Sequence, residues 1–139
     1  MARVRAAAQV IAVDTNVVVR LLARDDAAQA PRARALIEAG SVFVLKTVVL
    51  ETEWVLRSLY GFGRPAIADG ITRLLGLPGI EIEDRPAVTR ALAWYGQGLD
   101  FADALHLASV AQANAFATFD QALRRKGRRI DGAVAVVAP

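Results

Sequence analysis

The stretch Gln9-Val10-Ile11-Ala12-Val13-Asp14-Thr15-Asn16-Val17-Val18-Val19-Arg20-Leu21-Leu22 decides how the chain is read. A β-branched apolar run stops at three polar residues and then resumes as apolar sequence passing into alanines, the pattern of a strand, a sharp turn and a helix. The alternation repeats downstream. Asp25 to Glu38 carries Ala30, Ala33, Leu36 and Ile37 at helical spacing and stops at Gly40, and Val42 to Leu45 reads as a second strand. Thr47 is expected to cap a helix from Val48 to about Tyr60, ended by Gly61 and Gly63, and another helix spans Pro65 to Leu75. Gly79 to Glu83 predicts a short edge strand, and Pro86 begins a helix running to Tyr95. Asp100 is placed to cap a helix from Phe101 to about Ala113. Ala115 to Phe119 then reads as a strand, a last helix begins near Asp120, and Ala133 to Val137 closes as a strand. Such a chain is α/β: a three-layer α/β/α sandwich around a central, mainly parallel sheet of four to five strands. Residues 1–9 read as a short lead and residues 10–139 as a single domain.

Composition narrows the chemistry. A length of 139 residues suffices for one domain with its own core. With no cysteine and one histidine, a disulfide framework, a thiolate metal site, a cysteine nucleophile and a zinc cluster built mainly of histidines are excluded. Any metal must be held mostly by oxygen. No apolar run approaches the length of about 18 residues that a membrane span needs. Lys46 interrupts Val42 to Leu50, and His106, Ser109, Gln112 and Asn114 break Ala104 to Phe119. The basic, apolar start faintly resembles a secretory leader but ends at Asp14 without a cleavage site, so a cytoplasmic location is expected. Seventeen Lys and Arg against fourteen Asp and Glu give +3, enough to attract a polyanion.

The acids divide into two groups. Asp25, Asp26, Asp69, Glu81, Glu83, Asp84 and Asp131 fall in loops, strand edges or polar helix faces, where water solvates them. Asp14, Glu51, Asp103 and Asp120 lie within apolar segments instead, where removing a carboxylate from water costs several kcal/mol without a partner. Asp14 and Asp120 each follow a strand directly, and Asp103 and Glu51 sit in the first turns of helices, near the positive end of the helix dipole. Ligands of parallel sheets sit at that edge, so the four acids are expected to converge. Carboxylates about 4 Å apart repel by roughly 4 kcal/mol at an effective dielectric near 20, which a divalent cation relieves. Oxygen-only ligands select Mg²⁺ or Mn²⁺. Taken singly, each acid also suits a helix cap. Asp100 reads mainly as the cap of the helix holding Asp103, and one of Glu51 and Glu53, roughly 200° apart around their helix, faces solvent. His106 reads as an ordinary packed or exposed histidine.

Together these segments resemble the PIN-domain nucleases, specifically the VapC-type toxins of toxin–antitoxin pairs. Val-Asp-Thr-Asn-Val-Val at 13–18, Val-Val-Leu-Glu-Thr-Glu-Trp-Val-Leu-Arg at 48–57, Asp-Phe-Ala-Asp-Ala-Leu-His-Leu-Ala at 100–108 and Ala-Thr-Phe-Asp at 117–120 carry the resemblance, in order, over nearly the whole chain. It implies that Asp14, Glu51, Asp103 and Asp120 form the catalytic, metal-holding set, with Asn16 and Thr118 orienting them and Asp100 as an accessory. Glu51, three residues before Trp54, takes the family's glutamate position. The resemblance also implies 5′-phosphate and 3′-hydroxyl products, a homodimer and a cognate antitoxin whose peptide blocks the site.

The resulting expectation is an endoribonuclease in which one or two Mg²⁺ or Mn²⁺ ions polarise an RNA phosphodiester and activate water. The basic run Arg124, Arg125, Lys126, Arg128 and Arg129 either contacts RNA phosphate or complements the end of its helix. The helices near Asp25 and Pro65 are more apolar than one sheet face needs, consistent with a partner groove or a dimer surface. Two other readings stand beside it. A phosphatase of the haloacid-dehalogenase type wants a second Asp where Asn16 stands and has only Lys46 or Lys126 to offer as a catalytic lysine. A catalytically silent PIN-like module would bind RNA or protein.

Overall fold

The computed structural model describes residues 9–110 and 112–139. Of the expected lead, residues 1–8 lie outside the described residues, as does Ala111 in the expected helix after Asp100. The chain divides into two compact units, the first ending at Arg85 and the second running from Pro86 to Pro139.

In the first unit β1 (Ile11–Ala12), β2 (Val42–Val44) and β3 (Ile80–Ile82) form a parallel sheet in the order β1-β2-β3. Ile11 is opposite Val42, and Val42 opposite Ile80. The central strand is apolar on both faces: Val42 and Val44 on one are fully buried, and Phe43 on the other is half-buried. At the edge, β3 alternates buried Ile80, exposed Glu81 and buried Ile82, as its sequence predicts. Four helices accompany these strands: α1 (Thr15–Ala23), α2 (Gln29–Glu38), α3 (Lys46–Ser58) and α4 (Arg64–Leu75). Since β1 and β2 are parallel and lead into α1 and α3, both helices start at the carboxyl edge of the sheet.

Two of these starts differ from expectation. Thr47 does not cap α3. The helix begins at Lys46, two residues before the expected Val48, and its first amide donates to the Glu83 carboxylate at 2.7 Å, just beyond β3. A tertiary neighbour thus replaces the local cap. The helix expected from Asp25 begins at Gln29, because Asp26 accepts the N–H groups of Gln29 at 2.7 Å and Ala28 at 2.9 Å and closes a turn there. Those bonds hold the Asp26 carboxyl below its ordinary range. Gly79 has φ +79°, and a Cβ there would meet Gly40 Cα at 2.9 Å, so β3 enters the sheet through a backbone contact that only glycine permits.

The second unit takes in most of α5 (Arg85–Gly96) and all of α6 (Phe101–Ala108), β4 (Ala115–Ala117), α7 (Gln121–Gly127) and β5 (Ala135–Val137). β4 and β5 pair in parallel, with Ala115 opposite Ala135. Within each unit the strands thus pair in parallel, three in the first and two in the second. Tyr95 of α5 and Phe101 of α6, both buried, meet edge to face at 5.4 Å and 90°. α6 ends earlier than expected, closing at Ser109, whose N–H is shared between the carbonyls of Leu105 and His106. α7 seats closely on β5: a Cβ at Gly127 would lie 2.6 Å from Val136 Cγ2. Among the described residues no helix is long and apolar enough to cross a membrane.

Candidate active site

The first unit contributes Asp14 and Glu51. Asp14 follows β1 and caps α1, accepting the N–H of Thr15 at 2.8 Å. Thr15 is buried, and its Oγ1 donates to Glu51 Oε1 at 2.5 Å, joining the first turn of α1 to α3. Asp14, Thr15, Asn16 and Glu51 line one cavity of about 320 Å³. Asp14, Asn16 and Glu51 are exposed. Glu53 turns the other way into the protein, where it is 3 % exposed and pairs with Arg57 at 2.9 Å. The rotation between positions two apart on a helix separates the two glutamates, and Glu51 is the solvent-facing one. Thr15 escaped the sequence reading, although a hydroxyl directly after a strand-end acid is the signal that would have found it.

The second unit contributes Asp100, Asp103 and Asp120. Asp100 caps α6 by accepting the N–H of Asp103 at 3.3 Å. Asp103 is half-buried, and its carboxyl is pushed above the usual range by that burial and then by the charges of Asp100 and Asp120, with His106 and Lys126 opposing. Asp120 follows β4 and caps α7, accepting the N–H of Leu123 at 3.0 Å. Thr118 Oγ1 accepts the N–H of Asp120 at 3.1 Å, tying the threonine to the backbone of the acid. In the basic run, Arg124 donates to the Thr118 carbonyl at 2.7 Å and Lys126 to the Gly98 carbonyl at 3.4 Å, while Arg125, Arg128 and Arg129 are exposed. Phe119 stands 85 % exposed between Thr118 and Asp120. His106 is exposed near the end of α6.

Asp14 and Glu51 thus belong to the first unit, and Asp103 and Asp120 to the second. Among the described residues, no group of three or more His, Cys, Asp or Glu side chains gathers closely enough to hold a metal ion. Asp14, Asp100 and Asp120 each commit a carboxylate oxygen to a helix cap, and Glu51 commits one to Thr15. The remaining oxygens suit a hard cation. The PIN domain family model matches residues 11–129. No curated protein matches the chain.

Proposed function

The chain belongs to the PIN domain family, a family of nucleases, and from that premise we propose that it is a metal-dependent endoribonuclease, the toxin of a VapBC-type toxin–antitoxin pair. The reading is carried by one observation: Asp14, Asp103 and Asp120 stand at the starts of helices, two of them within three residues of the end of a strand, with Glu51 held beside Asp14 through Thr15. The donor chemistry fits Mg²⁺ or Mn²⁺. All candidate ligands are carboxylates, and Asp103 is crowded by like charges that a cation would relieve. Asp14, Asp103, Asp120 and Glu51 are the residues that would hold it. When bound, such an ion supplies Lewis acidity toward phosphate and a more acidic water.

The chain's own groups position the acids and the substrate. The Thr15 hydroxyl fixes one oxygen of Glu51, and Leu123 N–H fixes one of Asp120. Exposed Arg125, Arg128 and Arg129 offer cations to RNA phosphates and the exposed ring of Phe119 offers a stacking face, the kinds of group that single-stranded nucleic acid favours. Water attacks phosphorus, the bond from phosphorus to O3′ breaks, and the products carry 5′-phosphate and 3′-hydroxyl ends. As a cytoplasmic toxin the protein would inhibit translation, paired as a homodimer and silenced by its antitoxin. Exposed Val10, Ile11 and Trp54 support apolar contacts with partners. So does a cavity of about 440 Å³ between α1 and α2, where Val17, Ala33 and Leu36 lie beside Arg20 and Arg32.

The test is cleavage of a structured RNA by wild type and Asp14→Asn, with Mn²⁺ and with EDTA. Wild type with Mn²⁺ should cut, and the other combinations should lose at least about 100-fold, the usual scale for losing a group at the reacting centre. Equal cleavage throughout refutes the proposal. The second reading is a silent PIN-like binding module, which calorimetry showing no Mn²⁺ binding would select.

A further inference from the structure

The cavity beside Asp14 and Glu51 extends well past those acids. Its walls are two stripes, Glu51 and Val55 on α3 with Leu59 just past its end, and Asn16, Val19 and Arg20 on α1. It therefore changes character along its length. The acids stand at one end, and eight residues further along α3, roughly 12 Å away, the wall becomes Leu59 and Tyr60. Leu59 is 69 % exposed, a large apolar side chain facing water.

The far rim is held in place. Arg20 donates through Nη1 to the Tyr60 hydroxyl at 2.6 Å and through Nε to Gln29 at 2.7 Å. Tyr60 in turn donates to Asp25 at 2.7 Å, and its ring meets Phe62 edge on at 5.9 Å. Tyr60 is thereby an oriented ring, with the Arg20 guanidinium fixed against its hydroxyl. An apolar and aromatic seat, a fixed cation and two carboxylates share one opening. Its volume of about 320 Å³ accommodates one ring system, and its acid end carries Asp14 and Glu51, two of the residues proposed above to hold the metal ion.

Resting on the ribonuclease reading, we propose that this cavity is a nucleoside subsite, taking the base of an unpaired RNA nucleotide next to the cleaved phosphate, against Val55, Leu59 and Tyr60 and beside Arg20. A base in a duplex is stacked between its neighbours, so only a splayed nucleotide can enter.

The experiment compares wild type, Leu59→Ser and Leu59→Met with Mn²⁺ on a single-stranded RNA, and on the same RNA made abasic at either nucleotide flanking the cut. Leu59 is exposed, so both variants should fold, which circular dichroism checks. Leu59→Ser should lose about tenfold in kcat/KM on the intact RNA, carried by KM, as expected for one lost base contact. Leu59→Met should keep the wild-type rate. One of the abasic RNAs should bring wild type down to the Leu59→Ser level, with no further loss in Leu59→Ser. Equal rates for wild type and Leu59→Ser on intact RNA would overturn the subsite and leave the cavity to a protein segment. A Leu59→Ser loss equal on intact and on both abasic RNAs would overturn it as well. Wild type that cuts no RNA overturns the ribonuclease reading and the subsite with it, an outcome distinct from the other two.

Discussion

Thr15→Val tests whether the hydroxyl between α1 and α3 positions Glu51. The substitution keeps the β-branched shape of a buried side chain and removes only the Oγ1 donor, which reaches Glu51 Oε1 at 2.5 Å. A hydrogen bond to a charged group contributes about 1.5–3 kcal/mol. Glu51 is exposed and can be rewetted, and valine buries an added methyl, so the net loss should fall to about 1 kcal/mol. For a chain of this length that lowers Tm by roughly 3–4 °C. The functional loss should exceed the loss of stability, because groups that orient a metal ligand typically matter about 10- to 100-fold in affinity or activity. Urea unfolding of wild type, Thr15→Val, Glu51→Ala and the double variant isolates the interaction, and RNA cleavage with titrated Mn²⁺ reads its role. Thr15→Val should cost almost nothing once Glu51 is alanine. An equal cost in both backgrounds, with unchanged Mn²⁺-dependent cleavage, refutes the positioning role.

Asp103 is held above the ordinary carboxyl range in the folded state, so between its unfolded and folded pKa values the folded protein binds more protons and stability falls as pH rises; above the folded value the penalty is constant. Asp103→Asn in EDTA should therefore be more stable than wild type at pH 7, with the gain fading as pH falls through the raised value, and urea midpoints showing a less stable variant at pH 7 would contradict this. Gly127→Ala forces a Cβ to within 2.6 Å of Val136 Cγ2 and should cost about 1–3 kcal/mol by overpacking, despite the better helix propensity of alanine. In a Val136→Ala background the same change should be neutral or stabilising, as thermal unfolding would show. Replacing exposed Arg125, Arg128 and Arg129 together by Gln should lower the salt slope of RNA binding by about two, at about 0.7 per phosphate contact for a single strand. An unchanged slope returns these arginines to complementing the helix end.

The sequence by itself determined the order of elements, the parallel pairing and the stations of the acids, because these follow from short-range patterns. Apolar runs of strand length, helical spacing and glycines at turns placed every strand and helix within a few residues. Asp14 and Asp120 were legible because each directly follows such a run, and Asp100 because an acid before Phe101 has an obvious capping use. The lack of cysteine limited any metal to oxygen ligands.

Only the tertiary structure decided what these residues touch. Glu83 takes the amide of Lys46 from 37 positions away, which no local reading of Thr47 reveals. Thr15 reaches Glu51 across 36 positions, while Glu53, two residues on, is buried against Arg57. The Arg20–Tyr60–Asp25 bonds join α1, its following loop and the end of α3 around one cavity. Periodicity records which face of an element is apolar, within one or two turns. Which polar atom of a distant element completes a hydrogen bond depends on how helices lie on a sheet, and that is settled by packing alone.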